Sequence, residues 1–235
     1  MKIGVLVCDH IQEKLQAEHG DYPQMFTRFI KEMDESFTIN LYDVTECDLP
    51  AYIDECDAYM ATGSQYSAYE NHAWIDQLTL FVRELYTNKK PFVGICFGHQ
   101  VIAMALGGNV EKSHKGWGIG VSRGMVQREL PWMTPMKEEL NLMVTHQDQV
   151  TQLPPEGHIL MGNAFCPNAM MQISDHFLGI QGHPEFTKSY LHDLVQTREE
   201  VIPEHVFKAG LDSLELKTDG KLLGQWIGAF YRQLL

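Results

Sequence analysis

No apolar run in the 235 residues approaches the roughly 20 that a bilayer-crossing helix requires, so no membrane association is expected. The opening Met1-Lys2-Ile3-Gly4-Val5-Leu6-Val7 is too short for a secretion signal and lacks a cleavage pattern; it reads as a first buried strand. Basic residues are scarce. Eighteen of them against 31 acidic ones leave a formal charge of −13 with no compact basic patch, which repels phosphate backbones and argues against a nucleic-acid partner. The five cysteines, Cys8, Cys47, Cys56, Cys96 and Cys166, are odd in number and form no C-x-x-C pair, a pattern expected of reduced thiols in the cytoplasm. None of the 11 histidines belongs to an H-E-x-x-H or to a Cys/His cluster with zinc spacing, so no metal site is expected, and His99 is read as packing or hydrogen-bonding locally. Repeats, linkers and low-complexity stretches are also missing. Residues 1–235 are therefore read as one domain, with Pro154-Pro155-Glu156-Gly157 a surface turn inside it.

What is present is an alternation of β-rich apolar runs with amphipathic stretches, the pattern of a parallel sheet covered by helices. It predicts strands at Lys2–Val7, Phe37–Tyr42, Ala58–Thr62 and Phe92–Ile95, with helices at Tyr22–Met33 and Ala73–Tyr86. In the second helix Trp74, Leu78, Phe81, Val82 and Leu85 recur at steps of three and four, marking a core-facing stripe. A further helix over Val101–Leu106 should end at Gly107-Gly108. Beyond it the pattern changes to short strands at Val110–Glu111, Gly118–Gln127, Leu142–Thr145, Ile159–Asn163, Met170–Ile173 and Phe177–Gln181, read as antiparallel pairs added to the parallel core. Helices near Lys188–Val201 and Lys221–Leu234 complete the chain.

Two local motifs carry chemistry. In Gly94-Ile95-Cys96-Phe97-Gly98 an apolar strand stops at a cysteine between two glycines, as in an elbow where a strand turns sharply into a helix and displays a nucleophile. At the start of that helix the backbone N–H groups and the helix dipole favour a thiolate. Alone, the motif equally fits a buried cysteine at a tight turn. The second motif, His183-Pro184-Glu185, follows an apolar strand; residues two apart in extended chain share a face, and Pro184 disfavours helix, so the carboxylate can orient the imidazole. A cysteine nucleophile needs such a base, and the base needs such an acceptor.

Together, Gly94-Ile95-Cys96-Phe97-Gly98-His99-Gln100 and the later His183-Pro184-Glu185 resemble the G-x-C-x-G-x-Q elbow and H-P-E of the class I glutamine amidotransferase family, in the expected order. Lys115-Gly116-Trp117 and His146-Gln147-Asp148-Gln149-Val150 look most similar to its stand-alone branch, labelled GMP synthase-like, which includes plant γ-glutamyl peptidases. Where such relatives often read G-W-E-I-G, this chain has Gly116-Trp117-Gly118-Ile119-Gly120. The resemblance implies a flavodoxin-like three-layer α/β sandwich. It implies a Cys96-His183-Glu185 triad and an oxyanion hole made by the N–H groups of Phe97 and Gly63, although Gly63 alone reads equally as a plain strand-ending glycine. It also implies that Gln100 and the Thr145-His146-Gln147-Asp148 loop bind substrate, the loop mainly through its backbone. Tyr66, Trp117 and Cys166 are further pocket-lining candidates that read more simply as packing.

The expected activity is hydrolysis of glutamine or a γ-glutamyl amide through a thioester, which needs no redox or nucleotide cofactor. Two alternatives stay open: a glutaminase subunit that passes ammonia to a separate synthetase, and a binding or regulatory protein on the same fold.

Overall fold

The computed structural model describes residues 1–234. Five parallel strands form one half of a nine-stranded sheet: β1 (Lys2–Val7), β2 (Thr38–Asp43), β3 (Ala58–Ala61), β4 (Phe92–Ile95) and β11 (Phe177–Ile180), in the order β2-β1-β3-β4-β11. The other half continues from β11 through β10 (Met170–Ile173), β9 (Gly157–Gly162), β6 (Gly118–Val126) and β7 (Glu139–His146), all antiparallel to their neighbours. A separate pair joins β5 (Asn109–Lys112) to β8 (Asp148–Gln152).

Strand periodicity explains the layers. Along β1, Ile3, Val5 and Val7 enter one apolar cluster and Leu6 the other, so the strand is buried on both faces. The first cluster is closed by α2 (Tyr22–Met33) and α7 (Gly220–Arg232), through residues such as Phe26, Trp226 and Phe230. The second is closed by α3 (Ala73–Thr87), whose predicted stripe is buried, and by α4 (Phe97–Ala105). At about 1.5–3 kcal/mol for each large apolar side chain removed from water, these two interfaces dominate the stability of the sandwich. The first cluster also receives α5 (Lys188–Gln196) through Tyr190, Leu191 and Leu194.

The expected three-layer architecture is present, with several boundaries corrected. α4 begins at Phe97 rather than Val101, because the chain becomes helical directly after the cysteine. The segment at residues 145–148 is not a free loop: β7 runs to His146 and β8 restarts at Asp148, leaving Gln147 as the break. The strand predicted at Leu142–Thr145 is longer because β6 pairs with β7 from Gly118↔His146 to Met125↔Glu139. α5 stops at Gln196, five residues before its predicted end, and α1 (Glu13–His19) and α6 (Glu204–Asp212) were not anticipated.

Candidate active site

The carboxyl ends of β1, β3, β4 and β11 lie side by side, the edge at which open α/β sheets place their ligands. The turn after β4 is the predicted elbow. Cys96 has φ 51° and ψ −96°, a conformation that costs a residue with a Cβ roughly 1–3 kcal/mol. Hydrogen bonds hold it there: the Cys96 N–H donates to Ile180 O at 2.7 Å, and Cys96 O accepts from the Gln100 N–H at 3.1 Å. Both flanking glycines are needed for space. A Cβ on Gly94 would come 2.3 Å from the Gly98 carbonyl carbon, and one on Gly98 would come 2.8 Å from the Ala61 Cβ.

His183 reaches the same point from β11. Its N–H donates to Met143 O at 2.8 Å, its Nδ1 lies 2.7 Å from Glu185 Oε1, and its ring stacks on Phe186 at 3.9 Å with 8° between the planes. The His183 and Glu185 side chains are essentially buried, which makes the pair strong and geometrically fixed. Burial opposes a charged imidazole, but the Glu185 carboxylate and the Cys96 sulfur beside it outweigh that and push the His183 pKa up to about 10. Two other buried histidines differ. Burial, with His146 next to it, pushes His99 down to about 3, and burial pushes His146 down to about 4. Both are neutral across the ordinary pH range. His99 is packed as expected, but neither of its ring nitrogens has a hydrogen-bond partner among the described residues.

Gly63, in the turn after β3, faces this pair: a Cβ there would lie 2.8 Å from His183 Cε1 and 3.7 Å from Cys96 Cβ. Among the described residues neither the Gly63 nor the Phe97 N–H has an acceptor, whereas their neighbours Thr62 and Gly98 both donate. Two unpaired backbone donors therefore flank the sulfur, an arrangement suited to developing negative charge on oxygen.

Two clefts meet at Cys96. The larger, about 190 Å³, is lined by Tyr66, Gln100, Trp117, Thr145, Gln147 and Asp148 among others. The smaller, about 50 Å³, contains Asp9, Tyr22, His183 and Leu194. The predicted substrate-binding residues thus lie together, with a refinement for Gln100. Its amide nitrogen is already engaged by Asp148 O at 3.0 Å and Gln181 Oε1 at 3.4 Å, so only its oxygen is free for a ligand. Cys166 does not line either cleft; it sits behind them in a small cavity with His146 and Gln181. Gly118 lies under the Phe165 ring, and a Cβ there would come 2.5 Å from Phe165 Cε1, so Phe165 occupies the space a longer side chain would need.

Three residues escaped the sequence reading. Arg198 lines both clefts, donates to Thr145 Oγ1 at 2.6 Å and covers the Trp117 ring at 5.4 Å from its centroid. Gln181 Nε2 lies 3.5 Å from the Cys96 sulfur. Asp9 enters the smaller cleft from the end of β1. Arg198 and Asp9 belong to no local motif, and Gln181, although two residues before His183, shows no role there, because each makes its contact with a residue more than 50 positions away in the chain. Outside the clefts, Glu18, His19 and Asp193 bring one ligand atom each within 4.8 Å of one another; His19 Nε2 already pairs with Asp193 Oδ2 at 2.8 Å.

The fold matches known proteins, and so does the sequence. A crystal structure of a glutamine amidotransferase from Thermotoga maritima superposes with a TM-score of 0.76 over 99% of this chain and 97% of its own, at 18% identity. Gamma-glutamyl peptidase 3 of Arabidopsis thaliana is 30% identical over 196 residues, covering 80% of this chain and 77% of the plant protein. A GMP synthase [glutamine-hydrolyzing] of Streptococcus thermophilus is 29% identical over 188 residues, which cover 77% of this chain but 34% of that enzyme. The family model described as "Glutamine amidotransferase class-I" matches residues 30–197, and with it the chain belongs to the class I glutamine amidotransferases, a family of enzymes.

Proposed function

We propose that the chain hydrolyses a γ-glutamyl amide through Cys96, His183 and Glu185. The observation that carries this reading is the meeting of a strained cysteine, a buried His-Glu pair and two unpaired N–H donors at one point. The Cys96 thiolate, paired with the His183 imidazolium, attacks the γ-carbonyl carbon. The carbonyl electron pair moves onto oxygen, where the N–H groups of Phe97 and Gly63 receive it. As the tetrahedral intermediate collapses, the C–N bond breaks and His183 gives its proton to the departing amine. Water then attacks the thioester with His183 as base, which restores the thiolate and imidazolium and releases the γ-carboxylate. Glu185 stabilises the charged imidazole and fixes its ring.

Arg198 supplies a cation for the carboxylate of the γ-glutamyl unit, while the backbone around Thr145, Gln147 and Asp148 and the free oxygen of Gln100 receive its amino end. Arg198→Ala should raise KM for γ-glutamyl substrates roughly tenfold, with a smaller change in kcat, because a charge-assisted hydrogen bond at a half-exposed group is worth about 1.5 kcal/mol. Steady-state kinetics on purified protein check it; an unchanged KM removes Arg198 from the substrate site.

Residues 1–235 act as one domain in this reading, and the five free thiols fit the cytoplasm. Among the described residues no helix is long and apolar enough to cross a membrane. The decisive experiment is a screen of the purified chain alone against glutamine and a panel of γ-glutamyl amides. Release of glutamate from at least one of them, lost in Cys96→Ala, supports the hydrolase. A second reading is favoured by the likeness to the GMP synthase, of which this chain matches only a part: a glutaminase subunit working with a separate synthetase. That reading takes over if the isolated chain is inactive and a co-purifying synthetase restores activity.

A further inference from the structure

The turn that carries Gly63 is held by groups outside the triad. Asp9 is 8% exposed at the end of β1, and its carboxylate points across to this turn. Oδ2 accepts the Gln65 backbone N–H at 2.7 Å, and Oδ1 accepts the Gln65 side-chain amide at 3.2 Å and the His10 N–H at 2.8 Å. Directly after the ends of β1 and β3, the Cys8 N–H donates to Thr62 Oγ1 at 2.9 Å, and that hydroxyl donates to Gly63 O at 2.9 Å. The Thr62 carbonyl in turn accepts the Gly98 N–H at 3.2 Å, from the first turn of α4. Because a trans peptide is planar, a Thr62 carbonyl aimed at α4 turns the Gly63 N–H to the opposite side. The turn is thus bonded on both sides of the Gly63 and Ser64 N–H groups, neither of which has an acceptor among the described residues. A buried carboxylate is an unfavourable way to hold a purely structural turn, since desolvation opposes it.

We propose that Asp9 is a positioning residue that clamps the 62–65 turn, keeping the Gly63 N–H aimed at the oxygen of the tetrahedral intermediate. This rests on the hydrolase reading above. Burial pushes the Asp9 carboxyl above its ordinary value, against the bonds from Gln65 and His10. The groups facing it are His10 on its own segment, Tyr22 of α2, Cys96, His183, and Tyr190 and Arg198 from the α5 region. As pH falls through this raised value the carboxylate is protonated, two acceptors weaken and the turn loosens. The consequence is a loss of kcat on the acid side that begins at higher pH than a surface aspartate would give.

The test is Asp9→Asn, which keeps the shape and removes the charge. Hydrogen exchange in a peptide covering residues 62–67 should quicken. kcat should fall roughly 10- to 100-fold, less than outright loss of an oxyanion donor, with KM within a few fold of wild type. Alkylation of Cys96 by iodoacetamide, which forms no oxyanion, should proceed at the wild-type rate. The acid-side loss attributed to Asp9 should vanish from the pH profile, and Gln65→Ala, which removes only the side-chain bond, should have a smaller effect. Unchanged exchange overturns the clamp, and quicker exchange with wild-type kcat overturns its catalytic relevance. If Asp9→Asn does not fold, Thr62→Val must show the same split between turnover and alkylation, and equal loss of both overturns the proposal. A wild-type chain that hydrolyses nothing in the panel removes the hydrolase reading, and the exchange result still decides whether Asp9 holds the turn.

Discussion

Cys96→Ala is expected to reduce γ-glutamyl hydrolysis roughly ten-thousand-fold or more, leaving only what binding and the oxyanion donors achieve without a nucleophile. The companion result is that a glutamine-like chloroketone labels Cys96 alone. The other thiols are poor competitors for definite reasons. Burial pushes Cys8 and Cys166 up to about 12 and raises Cys56, so all three remain thiols at neutral pH. Cys47 is exposed but lines neither of the clefts that meet at Cys96. Peptide mass spectrometry reads the outcome; labelling that persists in Cys96→Ala would displace this residue as nucleophile.

The second large effect is expected from the base. His183→Asn should lower kcat by roughly a thousandfold or more, because the other histidines near the clefts are poor replacements: burial makes His99 and His146 weak bases, and both ring nitrogens of His10 are bonded to Asp21 and Asp43. Glu185→Gln should be milder. The Phe186 stack and the His183 N–H bond to Met143 still hold the ring, and a glutamine oxygen can accept from Nδ1. Removing the carboxylate takes away a group that raises the His183 pKa, so the basic side of the pH profile should move to lower pH in Glu185→Gln. Circular dichroism distinguishes these effects from unfolding. Native spectra with wild-type kcat in His183→Asn would assign the base elsewhere.

The parts of the molecule most legible in the sequence are those whose signal is local. β1, β4 and α2 were bounded as found, because continuous apolar runs and a strong amphipathic stripe need no knowledge of their neighbours. The elbow and the His-Pro-Glu segment were legible for the same reason, each being defined within a few residues. α1 was invisible because only Leu15 is buried along it, and α6 buries only Phe207 and Gly210, so neither shows a stripe. β8 buries two adjacent residues, half-buries Asp148 and exposes the last two, which erases the alternation that would reveal a strand. Arg198, Gln181 and Asp9 are ordinary polar residues in sequence; only folding brings them to Thr145, Cys96 and Gln65.

The crowding at the elbow bears on how this protein can change over time. What a side chain at residue 94 would strike is the main chain of Gly98 and His99, and the main chain has no alternative version that a second substitution could supply. A clash with a side chain can be relieved by shortening that side chain; this one cannot. Residue 94 is therefore closed to stepwise drift, while Gly118, whose nearest obstruction is the Phe165 ring, gains room once position 165 becomes smaller. A larger side chain has an open route at the 118–165 pair and none at the elbow.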